Sequence, residues 1–172
     1  AQTAQFSGVG FSPQGEMQRN NGQGNGQGAE DLDLGLKIAV LCNDARLVRN
    51  PEQPDDGWQI RGDPTEAALV VAAAKTGIEK HGLESEYPRI DEIPFDPSAK
   101  YMATFHRRPD DSLLVCVKGA PETILGMSGT VRMAAEEQPM ADHRSRLGQQ
   151  NDAMAKAALR VLGLGYRVIG QD

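Results

Sequence analysis

Aromatic side chains are scarce in this chain, cysteines scarcer still, and basic residues are outnumbered by acidic ones. Phe, Tyr and Trp make up 5% of the 172 residues, so a core has to be assembled mainly from aliphatic side chains. With 24 acidic residues against 18 Lys and Arg, the formal net charge is -6. That balance argues against the broad basic footprint with which nucleic-acid binders neutralise phosphates, so no nucleic-acid partner is expected. A polyanion would have to meet a local basic site. The two cysteines, Cys42 and Cys116, stand alone and far apart, with no CxxC metal-ligand spacing. They read as reduced, buried thiols, with a disulfide between them left open. His81, His106 and His143 share no ligand spacing with each other or with the cysteines, so no metal site is expected. No apolar run approaches the roughly 20 residues needed to cross a bilayer. The longest runs from Ala67 to Ala74, and the N-terminus shows no signal-peptide pattern, so this piece is expected to be soluble. A phosphate-wrapping GxxxxGK[ST] is missing, and Gly163-Leu164-Gly165 followed by Gly170 misses the dinucleotide fingerprint by its spacing.

The length suits one domain with a real core, so residues 1–172 are expected to form a single domain. Val9 to Gly15 reads as a short strand running into a turn. Residues 19–30, centred on Asn20 to Gly28, lack the apolar side chains that offset chain entropy and read as a flexible Gly/Gln/Asn-rich loop. Dense apolar residues from Asp31 to Leu41, with acids at the start, predict a largely buried helix. Asp63-Pro64-Thr65-Glu66 announces another: Asp caps, Pro occupies the first helical position, and Glu66 can reach back to the cap. This helix should run to about Thr76 and stop at Gly77. From Lys100 the pattern changes to period two, and Lys100 to His106 followed by Leu113 to Val117 predicts an antiparallel hairpin around a Pro-Asp-Asp turn. Gly119-Ala120-Pro121 ends the second strand and opens a short helix through Ile124. Leu147, Met154, Ala158, Val161 and Leu162 recur at helical spacing, predicting a long helix before a last strand from Tyr166 to Ile169. The fold class is α+β, an antiparallel β-sheet flanked by helices.

Lys100 and Lys118 fall at the same end of that hairpin. Two cations about 5 Å apart repel by about 3 kcal/mol at an effective dielectric of 20, and an anion between them relieves the cost. Phe95 lies five residues before Lys100, and an aromatic beside paired cations suits a flat base joined to phosphates. A core Phe with two solvated lysines is the plainer account of the same residues.

The balance turns on a resemblance. Gly62-Asp63-Pro64-Thr65-Glu66 with Ala67-Ala68-Leu69, then Pro94-Phe95-Asp96, then Lys118-Gly119-Ala120-Pro121-Glu122, resemble in order the signature of the P-type ATPase nucleotide-binding domain. Cys42-Asn43-Asp44-Ala45 resembles its CNDA segment, and Ala158-Leu159-Arg160-Val161-Leu162 its LRVL stretch. The resemblance implies that Phe95 stacks on adenine, that Lys118 lies at the base of the adenine pocket with Gly119 allowing close approach, and that Glu66 bonds around the adenine amino group. It implies that Arg160 meets the phosphates, and that Lys100 and Met102 match the pair found in the calcium-type, second subgroup. Glu66 also suits a cap, Met102 a core filler, and Arg160 a side chain lying along its helix.

The same resemblance implies an ATP-binding domain, cytoplasmic and monomeric when isolated, taken from an integral membrane pump. Such pumps phosphorylate an aspartate in a DKTGT segment that does not occur in this sequence. No catalytic residue is therefore expected here, and the domain should be inactive in isolation. Its partners would be the pump's phosphorylation and actuator domains, and Mg2+ would arrive with ATP in the intact pump without being bound by this domain. The alternative is a non-catalytic structural or interaction domain with vestigial nucleotide binding.

Overall fold

The computed structural model describes residues 3–20, 28–50 and 57–170, which divide into two compact units, Ala1–Ser85 and Glu86–Asp172. In the first unit, β1 (Thr3–Phe6) and β2 (Met17–Asn20) pair as an antiparallel hairpin. Val9 to Gly15, expected as a short strand running into a turn, has no strand and is the loop of this hairpin. Gly8 and Gly15 there adopt φ of 119° and 142°, outside what a strand tolerates. A Cβ on Gly15 would fall 2.3 Å from the Ser7 carbonyl oxygen, so the loop closes too tightly for any side chain at that position.

The centre of the expected Gly/Gln/Asn-rich loop, residues 21–27, lies outside the described residues. Its expected ends do not hold: Arg19 and Asn20 complete β2, and Ala29 and Glu30 open α1 (Ala29–Leu41). Glu30 and Asp31 in the first turn of α1 suit the positive end of the helix dipole. Leu36, Ile38, Ala39, Val40 and Leu41 are buried and pack the helix against α2 (Pro64–Ala74). Asp63 caps α2 as its sequence predicts, accepting hydrogen bonds from the backbone N–H groups of Thr65 and Glu66 at 2.8 and 3.2 Å. Between the helices lies a short hairpin, β3 (Arg46–Arg49) and β4 (Trp58–Arg61), and α3 (Lys80–Glu86) follows α2.

The second unit is built on a four-stranded antiparallel sheet of β5 (Arg89–Asp96), β6 (Tyr101–Arg107), β7 (Leu113–Gly119) and β10 (Gly163–Ile169), in the order β10-β7-β6-β5. The period-two hairpin is present as β6–β7, with one face carrying Met102, Thr104 and His106 beside Leu114, Cys116 and Lys118, all buried. His106 accounts for its own burial. Its Nδ1 lies 3.0 Å from the Tyr87 carbonyl oxygen, which only accepts, so the ring proton sits there and Nε2 accepts from the Thr104 hydroxyl at 2.8 Å. Cys42 and Cys116 are both buried, as thiols and not as a disulfide.

Helix α4 (Pro121–Met127) starts with Pro at its first position and packs on β7 and β10. Gly163 lies directly opposite Gly119 in the sheet, and a Cβ there would come within 2.8 Å of the Ile124 side chain. The Gly163-Leu164-Gly165 segment thus has a packing role where α4 meets the sheet. A second small hairpin, β8 (Thr130–Met133) and β9 (Glu136–Pro139), precedes α5 (Met140–Lys156).

The last helix ends earlier than its apolar spacing predicts. Ala158 takes φ of 57°, and the N–H groups of Ala158 and Leu159 bond back to the carbonyls of Ala155 and Met154 at 3.0 and 3.1 Å. That is a complete Schellman motif with alanine where glycine is usual, so Leu159 to Leu162 form a connection. The strand after it begins at Gly163, three residues before the expected Tyr166. Among the described residues no helix is long and apolar enough to cross a membrane.

Candidate functional site

One end of the four-stranded sheet gathers most of the expected site residues. Lys118 on β7 sits directly opposite Met102 on β6 and Leu164 on β10. Cross-strand partners share a face, and both Met102 and Lys118 are buried. On β5 the register slips between Ile93, opposite Ala103, and Asp96, opposite Tyr101. Pro94 and Phe95 together therefore face the single residue Met102, as in a bulge. The slip falls at a proline on an edge strand, where the missing N–H breaks no ladder. Phe95 is left 59% exposed, an unusual state for a large aromatic.

Lys100 does not begin β6 as expected; it is the last residue of the turn between β5 and β6. Asp96 builds that turn. Its Oδ1 accepts from the Ser98 hydroxyl and N–H, both at 2.7 Å, and from the Ala99 N–H at 3.4 Å. These bonds, the Ser98 hydroxyl foremost, hold the Asp96 carboxyl below the usual carboxylate range. Lys100 itself is fixed by its N–H to the Asp96 carbonyl at 2.6 Å and by its carbonyl to the Ala120 N–H at 2.9 Å. The result is φ of 60° on a non-glycine residue, a left-handed conformation that costs about 1–2 kcal/mol. Its ammonium projects into solvent and lies 3.5 Å from the carboxylate of Glu122, in the first turn of α4. The expected repulsion between Lys100 and Lys118 is thus answered for Lys100 by an acid of the same Lys-Gly-Ala-Pro-Glu run.

Gly119 ends β7 opposite Tyr101 and Gly163. A Cβ at Gly119 would fall 2.4 Å from the Lys100 carbonyl oxygen and 2.7 Å from the Tyr101 Cβ, so the fold itself requires glycine there. Arg160 lies in the exposed connection three residues before Gly163. It is therefore off the helix on which it was expected, and the strand it leads into joins the sheet at the same end as Gly119.

Glu66 belongs to the first unit, where the Cys42-Asn43-Asp44-Ala45 and Gly62 to Glu66 segments interlock. Asn43 is fully buried; its amide donates to the carbonyls of Ala39 and Glu66 at 3.1 and 2.9 Å, and its Oδ1 accepts from the Ala45 N–H at 2.9 Å. Glu66 Oε2 accepts from the Asp44 N–H at 3.0 Å. Lys80 donates to the carbonyls of Asn43 and Ala45 at 2.6 and 2.9 Å. A Cβ on Gly62, whose φ is 108°, would meet the Ala45 Cα at 2.9 Å. Sequence reasoning missed Lys80, which has no motif around it, and Glu122, which stood inside a motif but could be paired with Lys100 only through the fold. Among the described residues no group of three or more His, Cys, Asp or Glu is placed to hold a metal ion.

Comparison with known proteins places the chain in a family. Residues 31–172 match the family model described as P-type ATPase, cytoplasmic domain N. The chain is 34% identical over 170 residues to the cation-transporting ATPase pma1 of Synechocystis, covering 96% of the chain and 18% of that protein. It is 39% identical over 134 residues to the probable cation-transporting ATPase F of Mycobacterium bovis, covering 78% of the chain and 14% of that protein. It is 30% identical over 171 residues to a calcium-transporting ATPase of Bacillus subtilis, covering 97% of the chain and 18% of that protein. The chain thus spans less than a fifth of the length of these curated relatives. With the ordered motifs, the α+β fold and a family match across most of its length, the chain belongs to the P-type cation-transporting ATPases, as their cytoplasmic N domain.

Proposed function

We propose that this chain binds ATP by its adenine end and presents the γ-phosphate to an aspartate carried by another domain of a cation pump. The observation that carries this reading is the exposed Phe95, on a bulged edge strand, at the same sheet end as Lys100, Met102, Lys118 and Gly119. An exposed aromatic offers a face on which a purine can stack, an interaction worth about 1–3 kcal/mol that asks for no special hydrogen bonds. Buried Met102 and Lys118 supply the floor of the pocket, and Gly119 keeps that floor free of a side chain. Glu66, which accepts from the Asp44 N–H through Oε2, recognises the adenine amino group. Lys100 and Arg160, both exposed, meet the phosphates.

Phosphoryl transfer depends on positioning and charge stabilisation around the γ-phosphate. In this reading those groups belong to the phosphorylation domain of the parent pump, which with the actuator domain is a partner of this chain, and Mg2+ arrives with the nucleotide. The chain then serves as an ATP-binding domain that binds without hydrolysing. Lys100 and Met102 support a place in the calcium-type subgroup.

Thermal denaturation with added nucleotide tests the reading. A ligand that binds only the folded state stabilises it by RT ln(1 + [L]/Kd), about 1.4 kcal/mol at ten times Kd. For a chain of this size that raises Tm by roughly 3–6 °C. ATP should produce the shift with or without Mg2+, and Phe95→Ala should cut it to half or less. An unchanged Tm at millimolar ATP would favour a structural or interaction domain instead.

A further inference from the structure

We infer that Glu122 is an internal stand-in for nucleotide phosphate on Lys100, so that the phosphates must displace a carboxylate before they gain this cation. The inference rests on the ATP-binding reading above and adds to it a residue that tunes affinity. Lys100 and Glu122 lie 3.5 Å apart, with side chains 58% and 61% exposed. An exposed pair of this kind is weak and exchangeable, since water and salt screen it. The backbone segments that carry its two ends are nonetheless joined by the hydrogen bond from the Ala120 N–H to the Lys100 carbonyl. Lys100 is pinned in a left-handed conformation by its bonds to Asp96 and Ala120, and Glu122 follows Ala120 by two residues at the start of α4. The ammonium therefore has a fixed pivot, and the carboxylate is already within its reach before any ligand arrives.

A phosphate tail carries the same sign of charge as Glu122 and presents more oxygen acceptors, so it competes for the same three N–H donors. Adenosine alone has nothing to offer Lys100 and leaves the pair intact. The carboxylate thus lowers affinity for the phosphate part of the ligand selectively, which suits a domain that must release its nucleotide after each transfer.

The test is a titration of wild type, Glu122→Gln, Lys100→Gln and the double variant with ATP and with adenosine, followed by calorimetry or by backbone amide shifts. Asp111→Asn, at the opposite end of the same sheet, controls for loss of one negative charge anywhere on the surface. Glu122→Gln should tighten ATP binding by about two- to fivefold, the range of a surface ion pair, and leave adenosine binding unchanged. In the Lys100→Gln background the same change should have no effect on ATP, and Asp111→Asn should have none in either. Weaker or unchanged ATP binding in Glu122→Gln, or an equal gain for adenosine, overturns the inference while leaving the binding site standing. Absence of ATP and adenosine binding to the wild-type chain overturns the binding reading and this inference together.

Discussion

Residues of the two units serve in opposite ways. In the first unit, the motif residue Asn43 is buried, the Lys80 side chain beside it is 8% exposed, and the polar groups of both are bonded to backbone. In the second, Phe95, Lys100 and Glu122 are exposed, and Lys100 is held in a strained conformation. The difference separates motif residues that fix a backbone from motif residues left open to a ligand. A signature read along the sequence does not distinguish the two; burial and hydrogen bonding do. Unsatisfied buried groups are costly, so a polar side chain such as Asn43 is tied to its neighbours. A strained, solvated lysine lacks that explanation, and such strain tends to mark functional sites.

The largest expected effect is at the buried end of this contrast. Asn43→Ala removes hydrogen bonds to Ala39, Glu66 and Ala45 and should destabilise the fold by about 2–4 kcal/mol in urea denaturation. A loss under 1 kcal/mol would break the distinction. Phe95→Ala should do the reverse. It should change stability by no more than about 0.5 kcal/mol, as for an exposed site, while weakening ATP binding by about 1–3 kcal/mol. Calorimetric titration and denaturation of the same variant check both halves.

A smaller effect is expected where strain has no ligand to explain it. Ala158 closes the Schellman motif after α5 at φ of 57°. Ala158→Gly should stabilise the chain by about 1 kcal/mol, read from the urea midpoint, without altering nucleotide affinity. Smallest is the pH response of the turn that carries Lys100. The Ser98 hydroxyl, then the backbone N–H groups of Ser98 and Ala99, lower the folded-state pKa of Asp96. Its contribution is therefore complete above the ordinary carboxylate pKa and is lost as pH falls through the lower folded value. Stability between these pH values should fall less steeply in Asp96→Asn than in wild type. Asp110, held low mainly by the Ser112 hydroxyl in the β6–β7 turn, should remain as a second acid-sensitive group in that variant.

Much of this fold was legible because its signals are local. Asp63-Pro64-Thr65-Glu66 carries cap, first-turn proline and acid within four residues, and α2 starts there. The alternation from Tyr101 onward survives as β6 because one whole face of it is buried. The hairpin β8–β9 was not legible, since its two-residue turn is Ala134-Ala135 at φ of 54° and 66°, where Asn-Gly is the usual signal. The end of α5 was hidden in the same way by Ala158. β5 escaped because Pro94 breaks the strand pattern and its residues are largely exposed on both faces. For the site, the order of motifs named the candidates. Arg160 was nevertheless placed on the wrong kind of element, and the Lys100–Glu122 pair depends on a contact between a turn and a helix that no local pattern contains.

The most direct test of the binding account is an ATP titration of the wild-type chain and the Phe95→Ala variant, followed by backbone amide NMR without Mg2+. The account predicts saturable shifts at Phe95, Lys100, Met102, Lys118, Gly119 and Arg160 that need about five- to 150-fold more ATP in the variant, while Leu113 and Leu114 at the far end of the sheet stay still. Unchanged spectra at millimolar ATP, or saturation at the same ATP concentration without the Phe95 ring, would contradict it.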